Sequence, residues 1–354
     1  MRLVYVDNVK PQTILAKTIY DDQGRVLLAK GTQLNEHYIR RLGDLGIWSL
    51  YIQDDIAASI EIDDVVSERT RVQVMQTTKE ALQKVQAGRS IESKKIREAV
   101  GGIIDEILQT PDIIIHLTDV RSLQDHTFGH AVNVSILSMI TGMAIGYNQL
   151  KLKDLGTGAL LHDVGKAMIP QHIINSPKVL SAEEYKLVQT HSALGFEALR
   201  KSENISTVVA HVAFQHHERF NGSGYPRKLA GKDILEYARV VAIADVYDAL
   251  TTDRPYRKRL LPHEVIEMIR DGHDSDFDGE MVTEFIRNIA PYPKGSIVIL
   301  NSGHKGIVVD VRKELPTRPK IQLLYDSKGV KVPGNPIVDL MNHLTVFIQD
   351  VLRE

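Results

Sequence analysis

The sequence contains no cysteine among its 354 residues. This absence excludes disulfide frameworks, thiolate metal sites and cysteine nucleophiles together. Any bound metal must therefore be held by imidazole nitrogens and by oxygen atoms. A surplus of charge is lacking too, since the formal net charge is -2. The bulk charge therefore favours neither a nucleic acid polymer nor an anionic membrane as a partner, although a small anionic substrate needs only a local cluster of cations.

Long apolar runs are also missing. The apolar stretch 132–145 is too short, and too often interrupted by Ser, Thr and Gly, to span a bilayer. The N-terminal sequence MRLVYVDNVKP carries charges too early for a signal peptide. We therefore expect a cytoplasmic protein with no membrane span.

The two ends of the sequence have the pattern of small β-rich domains. In residues 1–60, short β-prone runs alternate with turn residues. Residues 291–354 again carry short β-prone runs separated by Gly, Asn and Pro, and a closing helix is predicted near 342–352. These domains offer surfaces for signalling protein partners, but their sequences do not identify one.

The middle of the sequence has helical periodicity. Residues 61–114 predict a helical linker, in which apolar residues recur every three or four positions over 96–107. This stripe either packs on the main domain or pairs two copies in a homodimer. Residues 115–290 predict a bundle of helices. The predicted fold class is therefore mainly α, with a helical bundle core and small β-rich N-terminal and C-terminal units.

Polar residues of one chemical type interrupt the apolar helices of the bundle. A single histidine on an apolar face is usually an ordinary core residue. A buried carboxylate such as Asp245, which follows the apolar run 240–244, is costly unless it is paired or binds a metal. Several such interruptions on separate helices favour convergence on a metal site. The interrupting residues are His126, His130, His162, Asp163, His191, His216, His217 and Asp245.

This candidate set is too large for one ion. Asp163 could bridge two ions, because a carboxylate has two oxygens. A pair of metals lowers the pKa of a bridging water and clamps the oxygens of an in-line displacement at phosphorus, which predicts phosphoester hydrolysis. Imidazole with carboxylate suits iron or manganese, and less distinctively zinc or nickel. The candidate cations for the phosphate oxygens are Lys166, Arg254 and Arg257.

Three motifs in order give a specific resemblance. The segment HDVGK at 162–166 resembles the signature of the HD superfamily of metal-dependent phosphohydrolases. The segment HHERFNGSGYP at 216–226 resembles the hallmark of its HD-GYP subfamily, and DVYDALTTDRPYR at 245–257 matches another block of that subfamily. The resemblance covers about residues 115–290, the predicted HD-GYP catalytic domain.

The resemblance implies a bacterial phosphodiesterase that hydrolyses cyclic di-GMP by hydroxide attack, giving pGpG or, further, GMP. It implies two divalent ions, iron or manganese, bridged by Asp163. Lys166 would contact the scissile phosphate, and Asp248 would support the metal ligands. The implied ligands are His130, His162, Asp163, His191, His216, His217 and Asp245.

Substrate contacts are implied on two loops. Gly224 and Tyr225, on the Gly-rich loop, would meet the substrate, because glycine lets the backbone approach a flat base. Arg254 would hold the second phosphate, together with Arg257. An acidic stretch at 274–279 opens like a calcium-binding EF-hand loop, but its bidentate ligand is misplaced, so a solvated acidic turn is predicted there instead.

Two positions depart from the family pattern. Where relatives carry an aromatic residue, or a glutamate in members with three metals, this sequence has His126, which either reaches a third ion or hydrogen-bonds nearby. Phe220-Asn221 replaces a common Trp-Asp pair. Two other functions stay open: a catalytically weak cyclic-dinucleotide sensor that signals through its terminal domains, and a phosphohydrolase for another cyclic nucleotide.

Overall fold

A computed structural model describes most of the chain. The described residues are 1–21, 25–47, 49–57, 60–62, 64–110, 114–116, 126–176, 178–252 and 259–352. They form two compact units: a β unit of residues 1–64, 112–126 and 289–354, and a helical unit of residues 65–111 and 127–288. The predicted fold class, a helical core with small β-rich parts at both ends of the chain, is confirmed.

The N-terminal part of the β unit contains a three-stranded antiparallel sheet of order β1-β5-β2 and a hairpin of β3 with β4. Its single described α-helix, α1, begins after Asn35, whose side chain accepts a hydrogen bond from the Tyr38 N–H and so caps the helix. The elements are β1 (Arg2–Tyr5), β2 (Ile14–Leu15), β3 (Ile19–Tyr20), β4 (Val26–Leu28), α1 (Glu36–Asp44) and β5 (Ser49–Gln53).

The C-terminal part is a five-stranded antiparallel sheet of order β10-β6-β7-β8-β9. The predicted closing helix over 342–352 is wrong, because the last strand lies there and pairs Val351 with Val298. Several β-branched and aromatic residues in this segment favour an extended backbone, and the strand supplies hydrogen bonds to the edge of β6. The strands are β6 (Ile297–Leu300), β7 (Lys305–Asp310), β8 (Lys320–Tyr325), β9 (Ile337–Asp339) and β10 (Ile348–Val351).

The two ends of the chain share a hydrophobic core, although the sequence suggested a separate domain at each end. Tyr51 and Ala57 pack in one cluster with Ile297, Ile307 and Leu324. Burying apolar area from both segments stabilises them together. The β unit is therefore built jointly from the beginning and the end of the sequence.

The helical unit includes the segment that the sequence suggested as a linker. Its helix α3 buries Ile96, Val100 and Ile103 and packs against α2 and α5, so the predicted apolar stripe faces the core of its own chain. None of the described helices has the length and apolar character required to cross a bilayer. The helices are α2 (Glu68–Gln86), α3 (Ser93–Gln109), α4 (His126–Ala144), α5 (Gln149–Leu160), α6 (Gln171–Ile174), α7 (Ala182–Gln189), α8 (His191–Arg200), α9 (Thr207–Gln215), α10 (Glu236–Thr251), α11 (Pro262–Asp271) and α12 (Gly279–Arg287).

Candidate metal centre

Five segments of the helical unit bring the candidate ligands together. His162 and Asp163 follow α5, directly before a short 3-10 helix at Val164–Met168. His191 is the first residue of α8, and the pair His216-His217 follows α9. The remaining two lie within helices, His130 in α4 and Asp245 in α10. Helix ends and apolar helix interiors thus place seven polar side chains at one buried location.

These seven residues form two groups. Asp163, His191, His216 and His217 each offer one nitrogen or oxygen atom within 4.8 Å of the others. A second group with the same spacing consists of His130, His162 and Asp245. Each group has the size and the donor type of a site for one metal ion.

The carboxylate of Asp163 faces both groups. Its Oδ1 lies 3.3 Å from His191 Nε2 and 3.7 Å from His216 Nε2. Its Oδ2 lies 3.4 Å from His162 Nε2 and 4.0 Å from His130 Nε2. The two oxygens of one side chain are therefore directed to different groups, as a bridging ligand requires.

Three of the imidazoles are oriented by the backbone just before them. Nδ1 of His162 donates to Ala159 O at 2.6 Å, and Nδ1 of His191 donates to Val188 O at 2.6 Å. His216 repeats the pattern, with its Nδ1 3.0 Å from a carbonyl oxygen three residues earlier. A carbonyl oxygen only accepts, so Nδ1 carries the hydrogen and Nε2 carries a lone pair.

The contacts between these lone pairs indicate whether the site fits a cation. His191 Nε2 and His216 Nε2 are 3.3 Å apart, and in the neutral rings neither can donate to the other. His162 Nε2 and Asp163 Oδ1 are buried and have no hydrogen-bond partner within the described ranges. Buried acceptors that face one another are costly without a proton or a cation between them. The donor set therefore fits divalent metal ions.

His130 is oriented by side chains instead. Its Nδ1 lies 2.7 Å from Asp248 Oδ2, and its Nε2 lies 3.0 Å from Asp245 Oδ1. Asp248 is 1% exposed, and Asn133 Nδ2 donates to its Oδ1 at 2.6 Å. Asp248, which was predicted to support the metal ligands, thus contacts a candidate ligand.

Metal binding needs neutral imidazoles and ionised carboxylates, and most of the candidate ligands already have these charge states, with His130 as the exception. Burial lowers the pKa of His191 to about 3, and it also lowers the pKa of His216 and His217. Burial alone would raise the pKa of Asp163, but Lys166 and His162 hold that pKa well below its usual value. For His130, hydrogen bonds to two carboxylates outweigh burial and raise the pKa to about 9.

The sequence HDVGK also explains how closely the backbone packs around the two groups of candidate ligands. Lys166 Nζ lies 2.5 Å from Asp163 Oδ2, and the lysine side chain stays 29% exposed. A Cβ at Gly165 would come within 1.9 Å of His191 O and 2.6 Å of Gly195 N. Glycine is therefore required here, because this turn lies directly on the first turn of α8.

The Gly-rich loop begins directly after the pair His216-His217. The Tyr225 ring stacks on His217, with 4.7 Å between ring centroids. A Cβ at Gly224 would lie 2.4 Å from Arg219 N, so only glycine allows this close approach. Glu218 closes the loop by accepting hydrogen bonds from the backbone N–H groups of residues 227 and 229. The predicted substrate residues Gly224 and Tyr225 thus lie next to the candidate ligands.

The acidic stretch has a structural role that the sequence did not reveal. The backbone N–H groups of Phe220 and Asn221 donate to Asp276 O at 3.0 Å and to Ser275 O at 2.7 Å. Asn221 Nδ2 also donates to Asp276 Oδ1 at 3.2 Å. This turn therefore holds one side of the Gly-rich loop. Its neighbour Asp274 has a φ of 57°, a backbone conformation more easily adopted by Asp and Asn than by most residues.

Some predicted residues lie outside the described part of the structure. Both candidate phosphate-binding arginines, Arg254 and Arg257, fall in the gap between 252 and 259, and the side chain of His126 is likewise not described. Conversely, Asn133 was not singled out from the sequence. Its signal was a polar residue three positions after His130 on an apolar helix.

Comparison with known proteins agrees with this geometry. Residues 120–281 match the model of a family described as HD domain, and residues 297–354 match a KOW domain associated with HD domain. A HDG"Y"P protein from Bdellovibrio bacteriovorus has the same fold, with a TM-score of 0.50 at 18% identity over 80% of this chain and 97% of that one. The helical unit thus contains most of an HD domain, and the chain also contains a KOW domain.

The curated relatives narrow the family further. A cyclic di-GMP phosphodiesterase of Pseudomonas aeruginosa is 32% identical over 256 residues, which are 72% of this chain and 61% of that protein. A 3'3'-cGAMP-specific phosphodiesterase 1 of Vibrio cholerae is 34% identical over 197 residues, 55% of this chain and 44% of that protein. The chain belongs to the HD-GYP family, as its three motifs predicted, but spans only about half to three fifths of these two relatives.

Proposed function

We propose that this protein is a metal-dependent phosphodiesterase that hydrolyses cyclic di-GMP. The observation that carries the proposal is the set of buried Nε2 lone pairs, His191 facing His216 at 3.3 Å, around the shared carboxylate of Asp163. Such an arrangement is unfavourable unless cations occupy it. The names of the relatives support a cyclic dinucleotide as the substrate.

The two groups of side chains would hold two divalent ions, iron or manganese. Asp163 would be shared between them, because its oxygens face different groups. When bound, two such cations lower the pKa of water to give hydroxide near neutral pH and offset the charge of a phosphodiester. His126, whose side chain lies outside the described part of the structure, would either bind a third ion or hydrogen-bond nearby.

Lys166 would provide the nearest described cation for the scissile phosphate. Its ammonium already contacts Asp163 Oδ2 at 2.5 Å, which holds it at the edge of the two groups. An ammonium has three hydrogens, so it can keep this contact and still donate to a phosphate oxygen. It would also be placed to donate a proton to the leaving oxygen.

Tyr225 and the Gly-rich loop would bind one base of the substrate. The tyrosine ring stacks on His217, so the loop places an aromatic surface beside the candidate metal ligands. Gly224 keeps the backbone close to the same residues. Arg254 and Arg257 would hold the second phosphate, since guanidinium binds phosphate in a planar fork.

The proposal is tested by anaerobic purification with metal quantification, followed by product analysis. We expect about two ions per chain and conversion of cyclic di-GMP to pGpG, with GMP as the further product to be sought. The double variant His162→Ala with Asp163→Ala should lose both metal and turnover while keeping its helical content. Metal and nucleotide binding without turnover would instead indicate the sensor.

Substrate choice is tested in the same assay. Cyclic di-GMP, 3'3'-cyclic GMP-AMP and bis(p-nitrophenyl) phosphate should be compared at equal enzyme concentration. We expect the highest kcat/KM for cyclic di-GMP. A preference for 3'3'-cyclic GMP-AMP would indicate the substrate specificity named for the Vibrio relative. Equal turnover of all three substrates would contradict the base-binding role of the loop.

A further inference from the structure

A chain of three hydrogen bonds connects helix α2 to a candidate metal ligand. Arg71 Nη1 donates to Asn133 Oδ1 at 2.8 Å. Asn133 Nδ2 donates to Asp248 Oδ1 at 2.6 Å, and Asp248 Oδ2 lies 2.7 Å from His130 Nδ1. The chain is mostly buried, since Asn133 is 2% and Asp248 is 1% exposed. It crosses from α2 to α4 to α10 and back to α4.

The guanidinium of Arg71 fixes the donor and the acceptor in each of the three hydrogen bonds. A guanidinium only donates, so the side-chain amide of Asn133 must turn its oxygen to Arg71. The NH2 group of that amide then faces Asp248, whose carboxylate only accepts when ionised. The other oxygen of the carboxylate consequently accepts from His130 Nδ1–H, which leaves Nε2 directed at the metal centre.

We propose that Arg71 is a positioning residue for the metal centre, which fixes the ring orientation and the tautomer of His130 through two intervening side chains. This inference rests on the proposed function, because it assumes that His130 is a metal ligand. It also gives the segment 65–111 a part in the site, where the sequence suggested only a linker. The second nitrogen of the guanidinium anchors this arrangement, since Arg71 Nε donates to Val66 O at 3.2 Å.

The contact with Arg71 fixes the orientation of the side-chain amide of Asn133. Without Arg71, the Asn133 side chain can turn over and present its oxygen to Asp248, where two acceptors would repel each other. Asp248 would then lose a donor, and His130 would lose its fixed orientation. Outer partners of metal-binding histidines contribute about 10–100-fold to metal affinity or activity. Because Arg71 acts two side chains further out, we expect a loss of about tenfold, the lower end of that range.

The test uses the full chain and Mn²⁺ as the probe. Arg71→Met removes the donors but keeps the aliphatic stem, and Arg71→Lys keeps a cationic donor group without the planar guanidinium. Arg69→Met is the matched control, because Arg69 lies in the same turn of α2 and is exposed. For each variant, the affinity of both ions is measured by competition with a chelator, and turnover is measured at low and at saturating Mn²⁺.

We expect the substitution of Arg71 to affect only one of the two metal ions. Arg71→Met should weaken one of the two ions about tenfold and leave the other unchanged. Its turnover should recover at saturating Mn²⁺ with an unaltered KM for the nucleotide. Arg71→Lys should restore much of the affinity, and Arg69→Met should match the wild type. In the double variant with Asn133→Leu, the two losses should be less than additive, since both act through one chain.

Three outcomes would contradict parts of this account separately. Wild-type affinity for both ions in Arg71→Met would overturn the inference alone. Equal weakening of both ions together with a lower Tm of the metal-free protein would also overturn it, because it would show a purely structural role. A wild-type protein that binds no Mn²⁺ would instead refute the proposed function, on which the inference depends.

Discussion

The histidines of the metal centre are held in two different ways. His162, His191 and His216 each donate from Nδ1 to a backbone carbonyl of the preceding turn. His130 donates to a side chain that lies 118 positions away in sequence. The first arrangement comes with the local backbone, whereas the second needs α10 to be packed correctly on α4. Local support should therefore resist side-chain substitution, while distant support should be sensitive to it.

The histidines of the centre also differ in charge when no metal is bound. At His191, burial together with Lys166 and His216 outweighs the attraction of the Asp163 carboxylate and lowers the pKa to about 3. Two carboxylates flank His130 and raise its pKa to about 9 despite burial. One histidine of the centre is therefore an imidazolium at neutral pH when no cation is bound, and His191 is neutral. The following experiments would break or sharpen this comparison.

The largest effect is expected where the two groups meet. Asp163→Asn removes the charge and one of the two oxygens that face the groups. We expect the loss of both ions and a fall in turnover of more than about 100-fold, beyond what an outer partner contributes. Metal analysis and a turnover assay check this, with the exposed Asp271→Asn as the control. An Asp163→Asn protein that keeps one ion at full affinity would show that the carboxylate is not shared.

The histidines held by the backbone can be disturbed through the backbone itself. In Gly165→Ala, the added Cβ would lie 1.9 Å from His191 O, so α8 must move and carry its ligand with it. Overpacking of this kind costs about 1–3 kcal/mol in the free energy of unfolding. Thermal unfolding and metal analysis should show a lower Tm and weaker binding at the group of His191.

Gly101→Ala is the matched control for this experiment. A Cβ at Gly101, in α3, would meet nothing within 4 Å. Alanine favours a helix over glycine by about 1 kcal/mol, so the control should be neutral or slightly stabilising. A Gly165→Ala protein as stable as this control would contradict the close approach to α8.

A smaller effect should distinguish side-chain support from backbone support. Asp248→Asn keeps the shape but weakens the acceptor for His130 Nδ1–H, and we expect a loss of about 10–100-fold in affinity for the ion of that group. Val188→Ala is its counterpart at His191, where the acceptor is a backbone oxygen that survives the substitution. Mn²⁺ affinities of the two variants should therefore differ, and equal losses in both would remove the contrast between side-chain support and backbone support.

The sequence predicted the local features of this centre better than the distant ones. The HD, HHE and DVYD motifs pointed to the residues that lie together, because each motif places its polar groups at a helix end or on an apolar helix. Asp248 was included because of the resemblance to the HD-GYP family. The contact of Arg71 with Asn133 joins residues 62 positions apart, and no periodic pattern reports such a pair.

Elements fixed by distant partners were also missed in the rest of the fold. The segment over 342–352 was predicted as a helix, yet its strand β10 exists because the edge of β6 is available for pairing. The acidic turn was predicted to be merely solvated, yet its carbonyl oxygens accept from Phe220 and Asn221. In both cases the deciding hydrogen bonds come from elements far away in sequence.

The last prediction concerns the proton that a metal ion must displace. Because an imidazole must be neutral to bind a metal, an ion at the His130 group must displace a proton below the pKa of about 9. Its affinity should therefore rise about tenfold for each unit of pH up to that value and then level off. His191, with its pKa lowered to about 3, is already neutral throughout the range of about pH 5 to 8, so it should release no proton. Mn²⁺ titrations in buffers of different ionisation enthalpy would measure this release. One proton for one ion and none for the other would support the assigned charge states, whereas equal release at both groups would mean that backbone and side-chain support do not set different charges.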